Sequence, residues 1–462
     1  MPKKPSSVTA RANKPVSIAI LGCGARGQAA ARWIAAHPLE ATVVAVADPL
    51  PDRLNLVANN HNVPTQNRFD DWKKLLARPR LADAVVLTLM DADHAAAAVP
   101  VLDLGYDMLL EKPMAVTLDD CIAINDARIR NNSIVSVCHS LRYQITYRRV
   151  KAMIAANAIG KVMSIDQLEG VDPVHQAHSF VRGNWGNESR STFMLLAKSC
   201  HDIDILIHLV GSNCARVSSF GTLSHFTRSQ RPAGAPPRCS DGCPHEENCP
   251  YSALKIYGQA QGWGKYIGLD RLTQAERDEF VQTSPYGRCV YDTDNDAVDH
   301  QVVNFEFEGG ATGTFTMTAF APAGRKLRVH GTHGFIQADI DNRKLEIHRF
   351  WGPNAGKETV ELPAEDGGHG GGDANMLSNL VQAIRDKNPS VVLTGTEESL
   401  RTHAVAFAAE QSRRQRRTVE LDELMKSHSA LKKHWTPPVS VTLGTSNTAA
   451  RTTPIIREIK GS

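Results

Sequence analysis

Short apolar runs alternate with amphipathic stretches over the first third of the chain. Val16–Gly22, Ala41–Ala47, Ala84–Leu89, Asp107–Leu110 and Ile134–Cys138 read as strands, each apolar and bounded by turn residues. Between them Gln28–Ala36, Asp52–His61, Asp70–Ala77, Asp93–Asp103 and Leu118–Asn131 carry helical patterning. Strands alternating with helices at this spacing predict a parallel sheet covered on both faces. This first domain spans 15–138, after a polar, basic segment at 1–14 that is expected to be flexible.

The pattern then changes. Thr146–Ala156 and Phe193–Val210 read as helices, and Val162–Glu169 and Ala215–Leu223 as strands. Further strands follow at His300–Glu308, Gly313–Ala319, Lys326–Gly331, Gly334–Asp339 and Lys344–Arg349, separated by short glycine turns. Consecutive strands with short turns predict an antiparallel sheet. Two helices, Asn375–Asp386 and Glu397–Arg414, close this α+β domain, which spans 139–425. It is interrupted at about 228–296 by a Pro-, Gly- and Cys-rich insertion. The segment 426–462, polar and aperiodic from Lys432 onward, is expected to be loosely attached.

Composition excludes several classes. Lys and Arg number 52 against 49 Asp and Glu, and a formal charge of +3 is too small to suggest nucleic acid as a partner. No apolar run is long enough to span a bilayer. The basic N-terminus lacks the apolar stretch of a secretory signal. A cytoplasmic location is therefore expected, with the nine cysteines reduced or bound to metal.

The chemistry begins at Gly22-Cys23-Gly24-Ala25-Arg26-Gly27, a G-x-G-x-x-G between a strand and a helix. The first glycine makes a tight turn, the second admits a pyrophosphate, and the third lets helix and strand approach. Asp48 ends the next strand about 20 residues on, where a carboxylate accepts ribose hydroxyls. It would repel a ribose phosphate, which favours NAD, while Arg26 keeps NADP open. Glu111-Lys112-Pro113 follows the fourth strand, at the sheet edge where ligands of open α/β folds bind. There the ammonium of Lys112 can stabilise charge on a substrate oxygen.

At these residues the chain resembles the glucose–fructose oxidoreductase / inositol dehydrogenase (Gfo/Idh/MocA) family. The marks are the glycine turn with Arg26, the tripeptide Glu111–Pro113, and His201-Asp202-Ile203-Asp204 as H-D-x-D on a second-domain helix. The resemblance implies a Rossmann domain followed by an open, mostly antiparallel sheet, dimers or tetramers, and NAD(P)-dependent chemistry on sugars or inositols. It carries catalytic roles to Lys112 and His201, with His201 as general base. One departure stands out: many members have an aspartate four residues before the histidine, and here that residue is Ala197, with Lys198 beside it. The expected reaction is hydride transfer between the nicotinamide and a sugar, inositol or related polyol. The alternatives are NAD-dependent glycoside cleavage through transient oxidation, or a non-catalytic NAD-binding regulator.

Further substrate contacts are expected from Arg142, Tyr143, His178, Arg182, Asn184, Trp185, Lys198 and Asp204. His175 and His178, three apart, also suggest a weaker metal pair. Cys239, Cys243 and Cys249, with Cys289 forty residues later, are spaced like the ligands of a structural zinc site. The other cysteines, at 23, 121, 138, 200 and 214, read as core.

Overall fold

The computed structural model describes residues 14–259 and 261–435. Its first part is a doubly wound domain: β1 (Val16–Leu21), α1 (Ala25–Ala36), β2 (Ala41–Ala47), α2 (Pro51–Asn60), β3 (Arg68–Phe69), α3 (Trp72–Leu76), β4 (Ala84–Leu87), α4 (His94–Asp103), β5 (Asp107–Leu110), α5 (Leu118–Asn131) and β6 (Val135–Val137). The strands pair in the order β3-β2-β1-β4-β5-β6, every pair parallel. Strands buried on both faces are apolar throughout, as Ala84–Leu87 and Met108–Leu110 are. The order reverses beside β1, and the crevice at the strand ends there is where a ligand of this architecture sits.

The second part contains α6 (Ile145–Ala155), β7 (Val162–Gly170), α7 (Pro173–His175), a π-helical turn at Gln176–Arg182, α8 (Met194–Ala197), α9 (Cys200–Val210) and β8 (Cys214–Thr222). The inserted segment forms three short helices, α10 (Ala253–Tyr257), α11 (Gly262–Tyr266) and α12 (Gln274–Thr283), around Tyr257, Leu269 and Val281. Then come β9 (His300–Phe307), β10 (Thr312–Thr318), β11 (Gly324–Gly331), β12 (Gly334–Asp339), β13 (Lys344–Arg349), β14 (Gly356–Glu361), α13 (Gly372–Asp386), α14 (Thr396–Gln415), β15 (Val419–Glu420), α15 (Leu421–Ser427) and α16 (Ser429–His434). They complete a nine-stranded sheet ordered β14-β13-β12-β11-β7-β10-β9-β8-β15. All its pairs are antiparallel except β10 with β7.

Two differences from the sequence reading have physical causes. The helix predicted over Phe193–Val210 is broken at Lys198–Ser199 into α8 and α9. At the break the Ala197 carbonyl accepts Lys112 Nζ and the Ser199 hydroxyl donates to Glu169 Oε2 at 2.8 Å. Tertiary bonds to the break thus stand in place of a continuous helix. Residues up to Trp435 are not loose: Leu431 is buried, and His434 Nε2 lies 3.0 Å from Asp126 Oδ1. Positions 1–13 and 436–462, including most of the expected flexible ends, lie outside the described residues. The outward row of the nine-stranded sheet mixes polar residues such as Asn304, Glu306, Thr314, Thr316, Arg328 and Gln337 with Leu168, Val302, Phe335 and the exposed Phe220.

The two domains share core. Met376, Leu377, Leu380 and Val381 of α13 pack with Val16, Ile18 and Ile34 against the first sheet, so a late helix completes the early domain. Helix α14 runs between α5 and β8, with Leu400, Ala404, Val405 and Ala408 in the core common to both.

Candidate active site

The glycine turn is shaped by its neighbours. Gly22 has φ +93°, and a Cβ there would lie 2.4 Å from the Thr88 carbonyl oxygen. A Cβ on Gly27 would lie 2.0 Å from the carbonyl oxygen of Gly22, so α1 meets β1 with no room for a side chain. Gly24 is different: the nearest atom to its Cβ position is an Arg53 guanidinium nitrogen at 3.9 Å. The space over Gly24 is open, at the N-cap of α1, where the amide of Ala25 begins the helix. Asp48 holds this turn, accepting the Cys23 N–H at 2.7 Å and the Leu50 N–H at 2.8 Å. An open cradle, free helix amides and a carboxylate at the end of β2 together fit a dinucleotide. Arg53 is the guanidinium beside this cradle, and sequence reading passed over it. Arg26 is not there: it pairs with Glu111 through Nε and with Asp373 Oδ2 at 2.7 Å through Nη1. It cannot reach toward a ribose phosphate while those two carboxylates hold it.

Glu111 and Lys112 follow β5 at the same sheet edge. Glu111 Oε2 accepts the Lys112 N–H at 3.0 Å, and Lys112 Nζ reaches the carbonyl of Ala197. Lys112 therefore bridges the first domain to the break between α8 and α9, directly before His201.

His201 sits in a buried polar network that period-2 patterning explains. Gln167 and Glu169 of β7, and Arg325 of β11, occupy inward positions alongside Ile165, Leu327 and Val329. Arg325 and Glu169 face each other in the strand register. Glu169, His201 and Asp202 are the one set of three metal-type donors among the described residues whose ligand atoms all lie within 4.8 Å of one another. A guanidinium occupies their focus: Arg325 Nη2 is 2.5 Å from Glu169 Oε1, 2.9 Å from His201 Nε2 and 3.0 Å from Asp202 Oδ2. Gln167 Nε2 donates to Asp202 Oδ1 at 2.6 Å, and Lys198 Nζ lies 3.4 Å from Glu169 Oε1.

Burial raises the Asp202 carboxyl, with the neighbouring Glu169 charge adding to it. Burial opposes the Glu169 charge too, but Arg325 and Lys198 outweigh it and hold that carboxyl low. Burial, then Arg325 and Lys112, push the His201 imidazole well below its ordinary value, so it is neutral. A guanidinium only donates, so His201 Nε2 accepts and Nδ1 carries the hydrogen. That Nδ1 is buried with no partner. Burial, joined by Arg325 and Lys112 and opposed by Glu169, lowers the Lys198 ammonium as well.

A second histidine stands beside this network. His369 lies in Gly367-Gly368-His369-Gly370-Gly371-Gly372-Asp373, its ring 5.5 Å from that of His201. His369 Nδ1 is 3.0 Å from Asp373 Oδ1, which leaves Nε2 as its acceptor. Asp373 also holds Arg26, so one loop ties the glycine turn to His201. Burial works against the Asp373 charge, but His369 and Arg26 prevail and keep its carboxyl far below the usual range. Five glycines in six residues around a histidine, ahead of a helix, were the visible signal.

The remaining expected contacts divide into two groups. Arg142 and Asp204 are buried against each other in a two-pronged pair at 2.6 and 2.7 Å, with Thr402 on Asp204 and the Leu393 carbonyl on Arg142. Tyr143 is buried too, accepting the Leu393 N–H and donating to Asn379. These three tie α9 and α14 to the segment after β6. His178 hydrogen-bonds Tyr257 at 2.9 Å and stacks on Trp263 and Tyr286, while the ring of His175 lies 4.7 Å from that of Trp263. Neither histidine belongs to a set of three metal-type donors among the described residues. Arg182 turns into the insertion, to the carbonyls of Arg288 and Tyr251. Trp185 Nε1 donates to Asp91 Oδ2 at 2.9 Å, and Asn184 lies exposed in a crevice with Met90 and Tyr286. Cys239, Cys243, Cys249 and Cys289 all line one cavity, yet no three of their sulfurs fall within 4.8 Å of one another.

Two family models cover most of the chain: residues 16–139 match the oxidoreductase family NAD-binding Rossmann fold, and residues 151–421 match its C-terminal alpha/beta domain. The chain belongs to the Gfo/Idh/MocA oxidoreductase family. This member is 25% identical over 374 residues to the putative oxidoreductase YteT of Bacillus subtilis, covering 78% of this chain and 86% of that one. An inositol 2-dehydrogenase of Burkholderia multivorans is 29% identical over 200 residues, 43% of this chain and 55% of that protein. Among solved structures, a levoglucosan dehydrogenase in complex with NADH and levoglucosan superposes with a TM-score of 0.64 at 19% identity, covering 88% of this chain and 99% of that one. The Gfo/Idh/MocA fold is thus shared along nearly its whole length, and no helix among the described residues is long and apolar enough to cross a membrane.

Proposed function

We propose that the protein oxidises and reduces a carbinol carbon of a sugar, inositol or related polyol with NAD. The bound nicotinamide supplies the hydride acceptor and donor. Relatives named for inositol and levoglucosan support this substrate class. The carboxylate of Asp48 beside the open cradle supports NAD, because it would repel a phosphate on the ribose.

The reading rests above all on the pairing of Lys112 with the His201 break. Lys112 and Lys198 place two ammonium groups near one buried histidine, where they can steady a developing alkoxide. In this reading His201 directs its Nδ1 hydrogen at the substrate oxygen, since Arg325 occupies its only lone pair. Proton exchange then falls to His369, whose Asp373-oriented ring keeps Nε2 free. This shifts the general base from the histidine of the H-D-x-D sequence to the one in the glycine-rich loop, and gives the missing aspartate at Ala197 a replacement.

The test is a polyol panel followed by pH–rate profiles. Lys112→Met is expected to lower kcat about a hundredfold or more with the NAD Kd unchanged. His369→Asn should lower kcat about 10²–10⁴-fold and abolish its acidic limb, whereas His201→Asn lowers kcat and leaves that limb in place. Loss of the limb in the His201 variant alone would return the base role to His201. Hydrolysis without net nicotinamide reduction, with solvent deuterium entering the sugar, would replace hydride exchange by glycoside cleavage.

A further inference from the structure

The insertion between β8 and β9 contains a charge that its surroundings do not balance. Arg182 is 4% exposed and makes no ion pair among the described residues. Its Nε and Nη2 donate to the carbonyls of Arg288 and Tyr251, each at 2.7 Å, and Nη2 also lies 3.6 Å from Cys239 Sγ. Its Nη1 has no hydrogen-bond partner, and the guanidinium carbon lies 6.0 Å from the centre of the Tyr257 ring. A guanidinium does not give up its proton, so a buried one without an anion is costly.

Arg182 lines a cavity with Cys239, Cys243, Cys249 and Cys289. Of the other polar groups there, Glu246 accepts the Ser252 hydroxyl at 3.2 Å, His245 Nε2 lies 2.8 Å from the Ala233 carbonyl, and Arg238 donates through Nη2 to the carbonyls of Val281 at 2.8 Å and Ser284 at 2.6 Å while its Nε has no partner. The backbone around the four cysteines is fixed. Arg238 and Arg288 form an antiparallel bridge, with Cys239 N–H on the Gly287 carbonyl at 3.0 Å and Cys289 N–H on that of Pro237 at 2.8 Å. This puts Cys239 and Cys289 diagonally across one face. A turn closed by Cys249 N–H on the His245 carbonyl at 2.9 Å returns Cys249 toward Cys243. Ligation of one ion here requires the four sulfurs to turn toward one another by a change of χ1 well.

We propose that Cys239, Cys243, Cys249 and Cys289 ligate one zinc ion, and that Arg182 is the cation that balances the resulting tetrathiolate. Zinc displaces four thiol protons, and the centre carries two negative charges, which answers the unpaired guanidinium. The insertion has only small apolar clusters of its own, and a metal joining its two ends would hold it against the π-helical turn that bears His178 and Arg182.

The full-length protein, purified under reducing conditions, tests this by elemental analysis and by titration with p-hydroxymercuribenzoate in the presence of a chromogenic zinc chelator. The other five cysteines are buried, so the native protein should release one zinc per chain as four thiols react. Cys249→Ser is expected to lose the zinc. Arg182→Gln should lower zinc affinity at least about tenfold in chelator competition, with partial rescue in Arg182→Lys. NAD titration of the same samples reports whether the first domain is folded. Four freely reactive thiols without metal, a disulfide among them, or iron with acid-labile sulfide would each overturn the assignment.

Discussion

Gly22, Gly24 and Gly27 are alike in sequence and answer to different neighbours. A side chain at Gly27 would meet the Gly22 carbonyl at 2.0 Å, whereas one at Gly24 would enter open space. Gly27→Ala is therefore expected to destabilise the fold by about 1–3 kcal/mol or more, since backbone faces the new methyl. Gly24→Val should leave the urea midpoint unchanged and weaken NAD binding at least about tenfold, because its side chain occupies the place of the diphosphate. Equilibrium unfolding and calorimetry on both variants separate the two roles. If Gly24→Val bound NAD as tightly as the parent, the cradle would have to lie elsewhere. Arg26 shows the same dependence on surroundings: two carboxylates, Glu111 and Asp373, decide what it does.

At the scale of elements, local pattern made the first sheet legible, because every parallel strand is an apolar run with a helix behind it. The segment containing β7, β9, β10, β11, β12 and β13 was legible for a related reason, alternation with period two. The same alternation marks Gln167, Glu169 and Arg325 as polar groups at inward positions, a signal that points to the buried network once it is sought. What pattern could not supply is pairing between distant elements. Arg142 and Asp204 looked like ligands of a substrate because both are polar and near family marks, but 62 residues apart they satisfy each other. The break at Lys198–Ser199 depends on Lys112 and Glu169, and α13 covers a sheet more than 200 residues before it; neither is written locally. Asp204→Asn leaves the buried Arg142 charge without its anion and is expected to cost about 3–5 kcal/mol, read by urea denaturation. KM for substrate should stay within error in the folded fraction. A KM effect with undiminished stability would instead make Asp204 a substrate contact.

For the whole molecule, buried histidines set the response to acid. Burial is the first cause in each case: it lowers His139 to about 4, His403 to about 3, His175 to about 3 and His178 to about 4. These four lie in different places, His139 and His403 against the shared core beside α14, His175 and His178 against the insertion. A histidine whose folded value lies below its unfolded value binds fewer protons when folded, so folding stability rises with pH through that interval. The contribution is complete above an unfolded value near 6.5 and declines as pH falls toward 4 and 3. Each group contributes at most about 1.4 kcal/mol per pH unit in that window. The depressed carboxyl of Asp204 acts in the same sense at lower pH, being lost only as pH falls through its folded value. The guanidinium midpoint is thus expected to fall steadily between pH 6.5 and 4, before most carboxylates titrate. Single His139→Gln and His403→Gln variants should flatten that slope, since a neutral amide takes up no proton on unfolding. A midpoint independent of pH over this window would mean that these imidazoles are charged within the fold, and that the core around α14 is far wetter than its packing describes.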